Sequence, residues 1–243
     1  MMDESATWAL VVGIDEYDDP AVPRLTGAAA ASAAAVLWLL KIGVPADHIL
    51  LNAAPSAVNK PALDGLGLTR GWNDATADEI WKSIWLLGEQ TNGRRLFVFL
   101  SGHGLYEPAW HRLFLAQDFG VHGDTAKNLN LGEYQDYFLS LAFREQFLVM
   151  DGCQNLPYSP SVRGSIVPGN PRRGAYWPNP NNGLIACYAA TIGEQAVEID
   201  GRGAFLRGLL PALDPDTLGS DEVGDVLASA VRIDWDTGER SVD

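Results

Sequence analysis

The sequence predicts an α/β domain built on a mostly parallel central sheet with helices on both faces. Three observations carry this reading. Residues 95–100 and 146–150 are apolar on consecutive positions, and a strand with no polar face must be covered on both sides. Helical stretches alternate with these strands, which is the order that crossovers between parallel strands impose. At 243 residues and 47% hydrophobic content, the chain is long enough to bury one substantial core.

Taken in order, residues 8–14 are a short apolar run ending in Asp15-Glu16-Tyr17-Asp18-Asp19-Pro20, a buried strand entering a turn. A helix follows, with Thr26 as N-cap, an alanine-rich body through Leu40, and Gly43 as its stop. Residues 48–51 are a second strand. Pro, Gly and Asn between Asn52 and Trp72 predict a loop. Thr76-Ala77-Asp78-Glu79 is a capping box that opens a helix to about Glu89. The buried strand 95–100 runs into Ser101-Gly102-His103-Gly104. Residues 113–116 are a minor strand, 132–143 a helix, and the buried strand 146–150 runs into Asp151-Gly152-Cys153. A third such strand, 184–190, leads to Thr191-Ile192-Gly193-Glu194-Gln195, and Gly203 opens an amphipathic helix to about Leu213.

No stretch approaches the ~18 consecutive apolar residues of a membrane span, and Met1-Met2-Asp3-Glu4-Ser5 lacks the basic start of a secretory signal. A soluble, cytoplasmic protein is expected. The two cysteines, Cys153 and Cys187, supply neither a disulfide framework nor a CxxC metal knuckle. A formal charge of −14 disfavours nucleic acid and anionic membranes as partners and suits basic peptides. Half of that charge falls in residues 214–243, with nine acidic side chains against Arg232 and Arg240. The expected organisation is a catalytic domain over 1–213 and an acidic helix or tail over 214–243 that links to further domains.

In a parallel sheet the functional loops lie beyond the carboxyl ends of the strands, and His103 and Cys153 each follow such an end. A thiol attacks a carbonyl as thiolate, and an imidazole within hydrogen-bond reach supplies one. His103 is therefore the candidate base and Cys153 the candidate nucleophile, with Gly152 keeping bulk away from the thiol. The rigid amides of Gly104 and Cys153 are the candidate oxyanion donors. Cys187, inside an apolar strand, reads as a core thiol. His48, His111 and His122 share no short ligand spacing with His103, so no metal site and no cofactor is expected. Neither Gly-x-Ser-x-Gly nor a phosphate-binding Gly-x4-Gly-Lys-Ser/Thr occurs.

Strand-Ser101-Gly102-His103-Gly104 followed by strand-Asp151-Gly152-Cys153-Gln154-Asn155 resembles the caspase/metacaspase/paracaspase clan of cysteine peptidases. His103 lies 50 residues before Cys153, and caspases place their histidine about 50 residues upstream of the cysteine. Ala190-Thr191, Gly193, Gln195, Glu198 and Gly203-Ala204-Phe205-Leu206 resemble the clan's closing strand, substrate loop and helix. The resemblance implies a caspase-like fold and a cysteine endopeptidase working through a Cys153–His103 dyad. Calcium control, known for some metacaspases, is not inferred from acidity alone. The other reading open to the sequence is an inactive caspase-like module that binds a partner through the same groove.

Asp-Gly-Cys-Gln-Asn departs from the caspase Gln-Ala-Cys pattern and is closer to the Asp-x-Cys of metacaspases. Glu198 stands near the position at which caspases carry an arginine for the substrate aspartate. With Asp151 it would make a carboxylate-lined pocket, which implies a protein or peptide substrate with Arg or Lys before the scissile bond. The proline-, glycine- and asparagine-rich stretch 157–181 matches the linker where maturation cuts fall in caspases and many metacaspases. Arg163, Arg172 and Arg173 are the candidate self-cleavage sites. A regulatory sensor protein or domain, in a bacterial defence or cell-death system, is the expected partner.

Overall fold

The computed structural model describes residues 6–107, 111–121, 124, 126–152, 179–190, 198–199, 202–203, 206, 208–210, 232–233 and 240–241. Its centre is a six-stranded sheet. In chain order the elements are β1 (Thr7–Ile14), α1 (Ala28–Lys41), β2 (Ile49–Ala54), α2 (Lys60–Asp64), β3 (Asn73–Asp74) and α3 (Ala77–Gly88). There follow β4 (Arg95–Ser101), β5 (Gly104–Glu107), β6 (His111–Leu115), β7 (Asn128–Asn130), α4 (Leu131–Ser140), β8 (Glu145–Asp151) and β9 (Gly183–Tyr188). Two short hairpins close the series: β10 (Glu198–Ile199) with β11 (Arg202–Gly203), and β12 (Arg232–Ile233) with β13 (Arg240–Ser241).

The sheet order is β3-β2-β1-β4-β8-β9, and every pairing in it is parallel. β4, apolar from Leu96 to Leu100, lies near the centre with both faces covered, as its sequence requires. On one side Val11, Phe97, Phe99 and Val149 pack under the alanine-rich α1 and against Leu206 and Leu210. On the other, Leu10, Val98, Leu100 and Leu148 pack under α3, α4 and the antiparallel sheet β5-β6-β7. Alanines let α1 approach closely: a Cβ on Gly13 of β1 would fall 2.1 Å from Ser32 Oγ. Cys187 is buried on the α1 side, in the core as expected. No helix among the described residues is long and apolar enough to cross a membrane.

Several boundaries differ from the sequence expectation. Thr26 does not cap α1: Gly27 holds the N-cap position without a side-chain bond, and Asp15 Oδ1 accepts from the Ala29 amide at 2.9 Å. A cap supplied from a distant loop leaves no local signature. The stretch 52–72 contains α2, a short helix with Pro61 in its first turn, a position that suits proline. Thr76 does cap α3, its hydroxyl accepting from the Glu79 amide at 3.3 Å. Asn130 caps α4 the same way, and the helix ends at Ser140 rather than 143. The minor strand expected at 113–116 is the middle strand of the β5-β6-β7 sheet. The boundary expected between residues 213 and 214 lies outside the described residues, as does most of 214–243.

Candidate functional site

β4 and β8 are parallel neighbours in register, Ser101 opposite Asp151. Both chains therefore leave the sheet at the same level. The Gly102 amide donates to the Asp151 carbonyl at 3.3 Å, and a Cβ on Gly152 would lie 2.4 Å from the Gly102 carbonyl oxygen. The two segments cross backbone against backbone, and only glycine at 152 permits it. Gly152 therefore makes room for the Gly102 carbonyl, a role beyond the one expected from the sequence. His103 is one residue beyond this contact on one chain. Cys153 is one residue beyond it on the other and lies outside the described residues, as do Arg163, Arg172 and Arg173.

His103 is held from the loop that follows β1. Its Nε2 is 2.7 Å from the Pro23 carbonyl. A carbonyl only accepts, so Nε2 carries the proton and Nδ1 is the basic nitrogen of the neutral ring. The His103 amide donates to the Tyr17 hydroxyl at 2.7 Å, and the two rings stand 5.2 Å apart at 39°.

That loop is itself fastened. The fully buried Asp15 accepts from Ala29 N, from the Ser56 amide and hydroxyl at 3.1 Å each, and from Asn59 Nδ2 at 2.7 Å. Asp15 also takes the Leu25 amide on its own carbonyl at 2.8 Å. Asp18 is bound to Gln117 by backbone and side chain. Tyr17, Pro23 and Asp15 were missed by sequence reasoning, which saw only a turn. The available signal was a tyrosine among acidic turn residues directly after a buried strand.

Past His103, the Leu115 amide donates to the His103 carbonyl at 2.9 Å. In the β5–β6 register Gly104 opposes Phe114. Hydrogen-bonded and non-bonded pairs alternate along an antiparallel ladder, so the Gly104 amide is turned away from β6. Asp151 is buried, and its Oδ2 accepts from the Leu206 amide at 3.3 Å. Glu198 opens the β10–β11 hairpin, whose second strand lies against α1. The Asp151 carboxylate thus faces the α1 side of the sheet, where Leu206 packs. Among the described residues no three His, Cys, Asp or Glu side chains converge as a metal site would.

No family model matches the chain. It is 31% identical over 219 residues to a protein of a Desulfuromonadales bacterium described as a probable protease. That alignment covers 85% of this chain but 26% of the relative, so the chain spans about a quarter of the relative's length. Among solved structures it resembles caspase-1 from Spodoptera frugiperda, with a TM-score of 0.51 and 15% identity, over 86% of this chain and 69% of that one. Six parallel strands with helices on both faces, together with the likeness to that structure, give the conclusion that this chain has the caspase-like fold.

Proposed function

We propose that the chain is a cysteine endopeptidase module in which Cys153 is the nucleophile and His103 the general base. The observation that carries this is the backbone contact of Gly102 with Gly152, because it starts the two reactive residues from adjacent points. The Pro23 carbonyl supports the same reading, since it leaves Nδ1 as the base. His103 Nδ1 takes the thiol proton, and the thiolate attacks the scissile carbonyl carbon. The amides of Gly104 and Cys153 receive the oxyanion. The imidazolium then protonates the departing amine, and water activated by the same nitrogen hydrolyses the acyl-enzyme.

The substrate is a protein or peptide with Arg or Lys before the scissile bond. Asp151 and Glu198 supply the negative charge, and a buried substrate aspartate beside them would meet repulsion without a partner. The described probable protease is much longer than this chain, which supports regulation by further domains or a sensor partner. The deciding experiment is a peptide-library cleavage profile of wild type beside Cys153→Ala, His103→Ala and the double variant. Each single change should remove nearly all turnover and the double little more, since residues acting as one unit are not additive. Undiminished turnover in Cys153→Ala would sink the assignment. A wild type that cuts nothing and whose Cys153 shows no His103-dependent reactivity would indicate the inactive binding module.

A further inference from the structure

His103 is attached to the β1–α1 loop at two points, and they do different things. Pro23 fixes the ring tautomer through Nε2. Tyr17 acts on the backbone: its hydroxyl accepts the His103 amide at 2.7 Å in the turn between β4 and β5. The turn is narrow there, because a Cβ on Gly102 would sit 3.1 Å from both Tyr17 Oη and the Phe114 ring. The Tyr17 ring is 8% exposed and packs in the core under the imidazole. Its loop cannot drift, since Asp15 two residues earlier is bound by Ser56, Asn59 and Ala29, and Asp18 one residue later by Gln117.

We propose that Tyr17 is a positioning residue for the base, its hydroxyl setting where the His103 backbone stands and so where Nδ1 meets the thiol. This rests on the dyad reading above. A general base contributes roughly 10²–10⁴-fold, and a displacement of about 1 Å can forfeit about 10²-fold. Losing this one tether while the others remain should therefore cost about tenfold.

The test is Tyr17→Phe, which removes one oxygen and keeps the ring. Three readouts are taken on the full chain: kcat and KM on a cleaved peptide, the rate of Cys153 alkylation by iodoacetamide at pH 6, and the melting temperature. At that pH an unassisted thiol is almost wholly protonated, so the alkylation rate reports the imidazole's placement. The expected result is kcat and alkylation each down about tenfold with KM unchanged. In a His103→Ala background Tyr17→Phe should change neither rate, which a purely structural role would not produce even if the melting temperature falls. Wild-type rates in Tyr17→Phe, or an equal loss with and without His103, overturn the proposal. If wild-type alkylation does not depend on His103, the dyad reading fails and the positioning role falls with it.

Discussion

At residue scale the sequence marks the reactive groups and hides what orients them. His103 and Cys153 are legible because each follows a continuous apolar strand and stands beside glycine, His103 between Gly102 and Gly104 and Cys153 after Gly152. Pro23 is illegible because it acts through a main-chain carbonyl, which every residue type offers. Gly152 shows how close the fit is. Gly152→Ala would drive a methyl into the Gly102 carbonyl, 2.4 Å away, and separating the strands' ends should cost about 1–3 kcal/mol of stability and most of the activity. A denaturant melt and a cleavage assay check this, and an active, equally stable variant would show that the loops have room to part. Asp151 gives the second prediction at this scale. Its carboxylate already accepts from the Leu206 amide, so Asp151→Asn keeps an acceptor and removes the charge. Cleavage after Arg should fall by at least about tenfold, the range of a lost charge-assisted contact, with the larger change in KM. A wild-type preference for Asp before the scissile bond would overturn the acidic pocket.

At the scale of elements, buried strands and locally capped helices were readable, whereas caps and anchors made across the fold were not. Thr76 caps its own helix three residues on, and the pattern announces it. Asp15 caps α1 from 14 residues away and binds Ser56 and Asn59 from more than 40, distances at which no sequence spacing carries information. The short antiparallel sheet was seen as one strand for a similar reason: β5 and β7 are four and three residues long and gain their pairing from β6. Asp15 thus ties three elements, β1, α1 and the β2–α2 loop, at the end of the sheet where His103 stands. Asp15→Ala strands four donors in a buried site and should lower stability by about 3 kcal/mol or more. Activity should fall at temperatures where the chain is still folded, because the Tyr17 and Pro23 contacts hang from the same loop. Urea unfolding measured beside kcat decides it; a loss of stability with full activity would show that the loop holds His103 without Asp15.

For the whole molecule, topology follows from the strand pattern, and charge bears on processing. Two apolar runs predicted parallel strands with their loops at one end of the sheet, and the adjacency of β4 and β8, on which a site between those loops depends, is added by the structure. Which loop would cover it was not foreseeable, since loop contacts depend on side chains far apart in sequence. The connection from β8 to β9 runs from Gly152 to Asn182, long for two adjacent parallel strands and rich in Pro, Gly and Asn. Asn182, at its far end, is fixed by its side-chain amide donating to the Leu139 and Leu141 carbonyls, so the connection's exit is anchored by α4. Arg163, Arg172 and Arg173 fall within this connection, each a residue that the proposed acidic pocket accepts. A chain cut there keeps both strands in the sheet, because β8 and β9 are held by their own ladder over six residue pairs. Cleavage is therefore compatible with a folded product, as maturation requires. Arg173 is the preferred site, since Gly174 leaves room beside the scissile bond, with Arg163 before Gly164 next. Incubated at concentrations where peptide substrates are turned over, wild type should yield two fragments that stay together in gel filtration and separate on denaturation. Cys153→Ala should remain one chain, and Arg173→Ala should slow the cut or move it to Arg163 or Arg172. A wild type that cuts peptides for hours and keeps its full mass would remove self-processing from the mechanism.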